Sequence, residues 1–297
     1  RYSGAPAGTQ TARLIAGGYD GSRTSCTEEY TSYVSSASFG RTFATVFSGD
    51  VSKLDNFRPS NVVSGSTQLA TDISGSFDEG FNFTGTIAKR VGVWSAGGNM
   101  SEVRGGFGAA GVQNAALAIG SWFPNKACTE EYDGTAWSEV GNLILARAAG
   151  ATGGTVTAAI LAAGYSNKDE TELYNGTSWS ETTDMGTGRY ETAGDGSQNA
   201  FIVAGGQAAS PFNTGMNCTE TFDGSSWSEK NNLITARDQH GLAGTQNAAV
   251  AAGGFNPSAQ TCTEDWDGIS WASSGAMIVG RGGGSATGTQ NAALASG

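Results

Sequence analysis

The chain has 297 residues with a net charge of −11, and its 46 glycines are roughly double ordinary usage while prolines number only five. Apolar residues at 38% with seven tryptophans exclude a disordered chain, and glycine without an every-third-residue period excludes collagen. No apolar run approaches a membrane span, and the acidic balance argues against a nucleic-acid backbone as partner.

In chain order, one pattern returns. Arg1 is followed nine residues later by Gln10, then by Gly17-Gly18, a loop, and Cys26-Thr27-Glu28. The pattern then breaks, because the next tryptophan in register, Trp94, lies 66 residues after Glu28 instead of seven. The interrupting residues 31–90 have no tryptophan, several phenylalanines and recurrent Ser-Gly pairs. From 91 onward the pattern resumes. Glu130, Glu172, Glu220 and Glu264 each precede a tryptophan by seven residues: Trp137, Trp179, Trp227 and Trp271. These tryptophans and Trp94 each precede an arginine by ten: Arg104, Arg147, Arg189, Arg237 and Arg281. Nine residues later stand Gln113, Val156, Gln198, Gln246 and Gln290. The tryptophan intervals are 43, 42, 48 and 44, and all the variation falls in one loop before the Thr-Glu pair. A rigid frame with one elastic loop is the signature of a stacked or radial repeat.

The last full repeat predicts four short strands. Gln246–Gly254 reads as a buried strand of small residues, Cys262–Trp266 as a second, Ile269–Trp271 as a third, and Ala276–Val279 as a fourth. Asp267-Gly268 is a hairpin turn signal. Four strands per 42–48 residues is the arithmetic of a β-propeller blade. The expected fold is therefore all-β: a propeller of five or more four-stranded blades, with 1–30 as part of a blade, 31–90 as an inserted Ser/Gly-rich spacer, and 91–297 as the main array. Six arginines but five Glu/Trp sets leave residues 281–297 duplicating 1–17, so the chain reads as a piece of a longer, assembled protein with an edge strand to share.

Diglycines at 17–18, 205–206 and 253–254, with an aromatic five residues before each tryptophan, resemble kelch-type repeats. The aromatics are Tyr132, Tyr174, Phe222 and Trp266; Ile119-Gly120 and Ala163-Gly164 depart from the diglycine. The strings Thr-Gln-Asn-Ala-Ala (245–249, 289–293) and Glu-Glu-Tyr-Asp-Gly (130–134) are similar to repeats in structural proteins of marine cyanobacterial phages. Phe39–Asp50 and Asp72–Phe77 resemble spacer segments of the same fibre and appendage proteins, which implies an oligomerising stalk; a packed β-hairpin insertion is the alternative.

Catalytic constellations are not written here. The single histidine, His240, stands in a connection between repeats and reads as a solvent-exposed loop residue, too little for a copper oxidase on a propeller or for a nucleophile–base pair. The cysteines Cys26, Cys128, Cys218 and Cys262 are 102, 90 and 44 residues apart, which gives no metal spacing. They hold one position in successive repeats, and read as reduced, buried packing residues, with cross-linking between chains as the other reading. What every repeat carries, every repeat needs. Glu28, Glu130, Glu172, Glu220 and Glu264 are therefore expected to make, with the arginines, one structural ion pair or backbone cap per blade, while the tryptophans cover the space between blades.

The elastic loops vary, and in a propeller they share one face. They carry Tyr19, Arg23, Trp122, Phe123, Asn125, Lys126, Tyr165, Asn167, Lys168, Phe212, Asn213, Phe255 and Asn256. Aromatic rings beside amides and cations suit sugar recognition, by stacking and paired hydrogen bonds. The alternative is that the aromatics cap blade edges. The phage resemblance implies a non-enzymatic virion fibre or appendage, located on the particle surface and partnered by copies of itself or by other virion proteins. The loops would then bind a host-surface glycan, with no cofactor, no metal, no nucleic acid and no membrane insertion. A purely architectural module and a polysaccharide-cleaving propeller enzyme are the alternatives.

Overall fold

A computed structural model describes residues 5–8, 12–16, 27–31, 93–122, 126–208 and 214–296. The chain divides into Arg1–Tyr33 with Gly92–Gly297 as one unit and Val34–Val91 as another, and every described residue belongs to the first. The spacer expected over 31–90 lies almost wholly outside the described residues.

The described structure is all-β, without helices. Five sheets each contain four antiparallel strands in sequence order. Sheet 1 is β1 (Ala5–Gly8), β2 (Ala12–Ala16), β3 (Thr27–Thr31) and β4 (Val93–Ala96). Sheet 2 is β5 (Gly108–Val112), β6 (Ala115–Ser121), β7 (Lys126–Tyr132) and β8 (Trp137–Val140). Sheet 3 is β9 (Ala151–Thr155), β10 (Ala158–Gly164), β11 (Lys168–Tyr174) and β12 (Trp179–Glu181). Sheet 4 is β13 (Ala193–Ser197), β14 (Ala200–Ala204), β15 (Thr219–Phe222) and β16 (Trp227–Lys230). Sheet 5 is β17 (Gly241–Thr245), β18 (Ala248–Ala252), β19 (Thr263–Trp266) and β20 (Trp271–Ser273). A final pair, β21 (Ser285–Thr289) and β22 (Ala292–Ser296), forms a two-stranded sheet. Because Tyr30 pairs with Trp94 across β3 and β4, residues 31–90 interrupt a single sheet between its last two strands.

Two strand assignments from the sequence need correction. Ala276–Val279 is not a strand; its apolar residues belong to a connection in which Met277 N–H donates to the Thr261 carbonyl at 2.8 Å. The equivalent Leu143, Met185 and Leu233 are buried anchors tied down in the same way. The first strand of the repeat precedes the glutamine instead of following it, as Gly241–Thr245 does, and its glycine-rich composition disguised it.

The first strands lie side by side: β1 beside β5, β5 beside β9, β9 beside β13, β13 beside β17, β17 beside β21, and β21 beside β1. Small residues make that approach possible. A Cβ added at Gly153 would sit 2.5 Å from the Phe201 ring, and one at Gly241 2.7 Å from the Ala286 Cβ. The second strands are buried on both faces, which is why β6, β10 and β14 read as unbroken apolar runs. Their alternate side chains enter different cores. Leu161 packs with Leu117 and Ile119 of sheet 2, while its neighbour Ile160 packs with Phe201 and Val203 of sheet 4. Each core cluster thus fills the space between two successive sheets.

Two further contacts lock neighbouring sheets. Trp137 Nε1 donates to Thr27 Oγ1, Trp179 to Thr129, Trp227 to Thr171 and Trp271 to Thr219, at 3.0–3.1 Å, each time reaching back one sheet. Gln198 Nε2 donates to the Ala159 and Tyr174 carbonyls of the preceding sheet; Gln246 and Gln290 repeat the pattern. Val156, which replaces that glutamine, instead joins the apolar core between sheets 2 and 3. Within sheets 2–5 the strand-three aromatic faces the strand-four tryptophan with ring centroids 5.1–5.3 Å apart, worth about 1 kcal/mol beyond area burial. The turn between them is an Asx turn. The Asp133, Asn175, Asp223 and Asp267 side chains each accept two backbone N–H bonds, and the following glycine has φ near +90°.

Candidate functional site

The arginine and glutamate of the repeat meet in a buried strap. Arg104 Nη2 lies 2.6 Å from Glu130 Oε1, Arg147 2.8 Å from Glu172 and Arg189 2.5 Å from Glu220, and Arg237 pairs with Glu264. All eight side chains are at most 2% exposed. Each arginine also donates to two backbone carbonyls that bracket the elastic loop, as Arg104 does to Gly120 and Cys128. Each glutamate also accepts N–H bonds from the chain arriving from the previous sheet: Ser101 on Glu130, Ile144 and Leu145 on Glu172, Gly186 on Glu220, and Ile234 and Thr235 on Glu264. The pair therefore closes the loop base and pins the incoming connection. Such a pair reads as structural, because the bonds that both partners make go to each other and to the frame's backbone. Arg281 is half-buried.

Immediately after the arginines the chain turns at one end of the sheets. Gly106, Ala149, Glu191, Gln239 and Gly283 all have φ between +50° and +73°. Their backbones bond in sequence: Ala149 N–H to the Gly106 carbonyl, Glu191 to Ala149, Gln239 to Glu191, and Gly283 to Gln239. Three of these positions carry side chains despite a left-handed backbone that costs about 1–2 kcal/mol per non-glycine residue. Strain of that kind persists where surrounding structure imposes it, and it clusters at functional sites. This end opens on a cavity of about 450 Å³ lined by β5, β9, β13, β17 and β21.

The elastic loops of sheets 2–5 pack on the same connections. Trp122 N–H donates to the Gly105 carbonyl, Tyr165 to Ala148, Gln207 to Tyr190 and Phe255 to Asp238, so these four side chains occupy equivalent positions around the mouth. Trp122 and Tyr165 rings are 5.2 Å apart, and Tyr190 meets Tyr165 edge-on at 5.4 Å. Tyr165 remains 42% exposed. Beside this aromatic run stand polar groups: Gln207 Nε2 donates to Asp238 Oδ2 at 3.3 Å, and Gln239 Nε2 to Glu191 Oε2 at 2.7 Å. Burial, reinforced by the Glu191 charge, pushes the Asp238 carboxyl up to about 6, and burial also raises Glu191. Asp238 Oδ1 and both ring nitrogens of His240 have no hydrogen-bond partner.

Of the loop residues expected to bind, Trp122 lines the cavity, and Tyr165 and Phe255 hold the equivalent position in their own loops. Asn256 is occupied in holding the Ala236 carbonyl at 2.8 Å. Lys126 pairs with Glu102, and Lys168 with Glu170 at 3.2 Å. Asn167 is half-buried with a left-handed φ of 56°. Tyr19, Arg23, Phe123, Asn125, Phe212 and Asn213 lie outside the described residues, as do the side chains of Glu28 and Trp94.

His240 is only 4% exposed, not the solvent-facing loop residue expected. Its ring packs over Gly205, and burial together with the Arg237 and Arg189 charges lowers its pKa to about 3, so it is neutral near pH 7. Cys128, Cys218 and Cys262 are free thiols as expected but half-buried rather than core residues. Tyr190, Glu191, Asp238 and Gln239 were not among the expected site residues. Their signal was present: they stand one and two positions after the arginine, where the repeats of Arg104, Arg147 and Arg281 have glycine or alanine and that of Arg1 has Tyr2-Ser3. Among the described residues no group of three His, Cys, Asp or Glu side chains is arranged to hold a metal ion, and no helix is long and apolar enough to cross a membrane. In comparisons with known proteins, no family model matches the chain and no curated protein matches it significantly.

Proposed function

We propose that this chain is a non-enzymatic binding and assembly protein. In this reading the sheets form a kelch-like propeller whose first strands surround the axis, and its loop face binds a surface glycan. The adjacency of β21 to β1 supports ring closure. The observation that carries the binding reading is the Trp122–Tyr165–Tyr190 aromatic run, with Trp122, Glu191 and Gln239 on the cavity lining and the Gln207–Asp238 pair next to Tyr190. Aromatic faces stack on the C–H faces of sugars, and carboxylate and amide groups accept and donate to adjacent hydroxyls. A phage fibre or appendage on a virion surface is the setting that the repeat wording supports, with a bacterial surface polysaccharide as ligand.

The two acids beside the aromatic run, Glu191 and Asp238, are each engaged by an amide, of Gln239 and Gln207, and on that ground we assign binding without turnover. The test is a glycan array with the full chain, followed by titration of Trp122→Ala and Tyr165→Ala. Binding should weaken at least tenfold in each variant while the far-ultraviolet spectrum is unchanged. Failure to bind any polysaccharide, or release of reducing ends from one, would overturn the proposal.

A further inference from the structure

The cavity of about 450 Å³ has the size of a small-molecule pocket, and most of its lining is glycine and alanine. Its ionisable and amide side chains, Glu191, Asp195, Gln239 and His240, all come from the segments that open sheets 4 and 5. Sheets 2 and 3 have Gly106 and Ala149 at the position of Glu191, Ala110 and Gly153 at that of Asp195, and Phe107 and Gly150 at that of His240. Those sheets form without the acids or the imidazole, so the repeat does not require them.

The acids on this arc have no cation to balance them. Among the described residues, Glu191 Oε2 accepts from Gln239 Nε2 at 2.7 Å, and Asp195 accepts the Gly196 and Gly244 N–H groups at 2.7 and 2.8 Å. These donors are all neutral. Asp238, 1% exposed, acts on the same arc: the Glu191 charge reaches it, and its Oδ1 has no hydrogen-bond partner. Arg189 and Arg237, whose charges reach His240, are already committed to Glu220 and Glu264. Burial raises the Glu191 carboxyl and brings Asp195 up to about 6, which is the behaviour of carboxylates short of a counter-charge.

The second observation is independent of charge. His240 is 4% exposed and lines the same cavity, yet neither of its ring nitrogens has a hydrogen-bond partner. Buried polar groups are ordinarily bonded, and a neutral imidazole has one donor and one acceptor to offer.

We propose that the sugar bound at this cavity carries a free amino group, and that Glu191 holds its ammonium. The inference rests on the glycan reading above and adds the charge of the ligand. The ammonium donates a charge-assisted hydrogen bond to Glu191, while Asp195 and Asp238 add to the negative potential around it. Trp122, on the same lining, offers its ring face to the cation. The ring nitrogens of His240 take hydroxyls of the same sugar. N-acetylation would remove the charge and leave the acids unbalanced.

The probes are two fluorescently labelled oligomers of equal length, one of glucosamine and one of N-acetylglucosamine, added to the full chain at a pH where the free amine is protonated. The glucosamine oligomer is expected to bind at least tenfold more tightly. Glu191→Gln, which can still accept from Gln239, should abolish that preference by weakening the glucosamine oligomer alone. Asp195→Asn should reduce the preference several-fold, and Trp122→Ala should weaken both oligomers. Equal affinity for the two oligomers, or a preference unchanged in Glu191→Gln, would overturn the inference and leave the glycan reading standing. So would binding of another polysaccharide but not of the glucosamine oligomer. A lysine oligomer bound as tightly as the glucosamine oligomer would also overturn it, since charge alone would then be read. No binding to any polysaccharide would overturn the glycan reading itself and the inference with it.

Discussion

The straps make a prediction that separates two roles for a buried ion pair. Consider Arg147→Met. It leaves Glu172, 1% exposed, with only the Ile144 and Leu145 N–H groups to stabilise its charge. The carbonyls of Ala163 and Glu170 lose this donor as well. Breaking one side of a buried pair costs about 3–5 kcal/mol. If charge pairing were the whole role, adding Glu172→Leu would restore stability, because apolar replacements of buried pairs are often neutral or better. The strap predicts otherwise. In the double variant two N–H groups and two carbonyls lose these partners, at about 1–3 kcal/mol for each that stays dry. The double variant should therefore remain at least about 2 kcal/mol less stable than the parent. Urea unfolding followed by tryptophan fluorescence reads this directly, since Trp179 sits on the strand next to Glu172. A double variant as stable as the parent would refute the strap and leave a simple ion pair.

Gly153→Val should destabilise by about 1–3 kcal/mol or more in the same assay, because its Cβ would meet Phe201 at 2.5 Å and the Gly196 carbonyl at 2.8 Å; a neutral result would mean the first strands are not closely apposed. Asp195, which accepts N–H bonds from Gly196 and Gly244 at the cavity wall, has its carboxyl raised by burial to about 6. The folded state therefore holds that proton more tightly than the unfolded chain, so stability is greatest below the ordinary aspartate value of 3.8 and declines as pH rises through about 6. Asp195→Asn should flatten that slope in thermal melts at pH 4 and pH 7, and an unchanged slope would contradict it. Glu191→Gly relieves a φ of 50° and should leave stability equal or about 1 kcal/mol higher, while glycan binding at the mouth falls; a loss of stability would show that the Glu191 side chain serves the frame.

The frame was legible because it repeats. Spacing alone tied Glu172 to Trp179 and Trp179 to Arg189, and each proved to have one geometric task performed in all of sheets 2–5. What sequence concealed was the first strand. Gly-Leu-Ala-Gly-Thr at 241–245 carries neither apolar alternation nor β-branched enrichment, because its requirement is closeness to β21, which small residues meet without leaving a pattern. The false fourth strand has the converse origin. Ala276–Val279 looks apolar, yet only Met277 of that run turns inward, and Ile278 is fully exposed. The mouth was half legible. Loop aromatics such as Trp122 and Tyr165 stood out by type, whereas Tyr190 and Glu191 acquire meaning only when the left-handed turn after Arg189 brings them beside the loop of sheet 3.

Why side chains vary at the mouth follows from where the frame spends its bonds. The straps satisfy the loop bases, the tryptophans and glutamines satisfy the sheet interfaces, and the Asx turns satisfy the far hairpins. The backbone run through Gly106, Ala149, Glu191, Gln239 and Gly283 is held by main-chain bonds that require no particular side chain. Stability therefore favours glycine at those five positions, as Gly106 and Gly283 show. Glu191 and Gln239 run against that preference and bond to each other across adjacent sheets, beside Tyr190 and Asp238. Among the described residues, the polar departures from glycine are thus concentrated where sheets 3, 4 and 5 meet. A structural demand would recur with the repeat. Chemistry confined to one arc of the mouth is better explained by a ligand that approaches from that side.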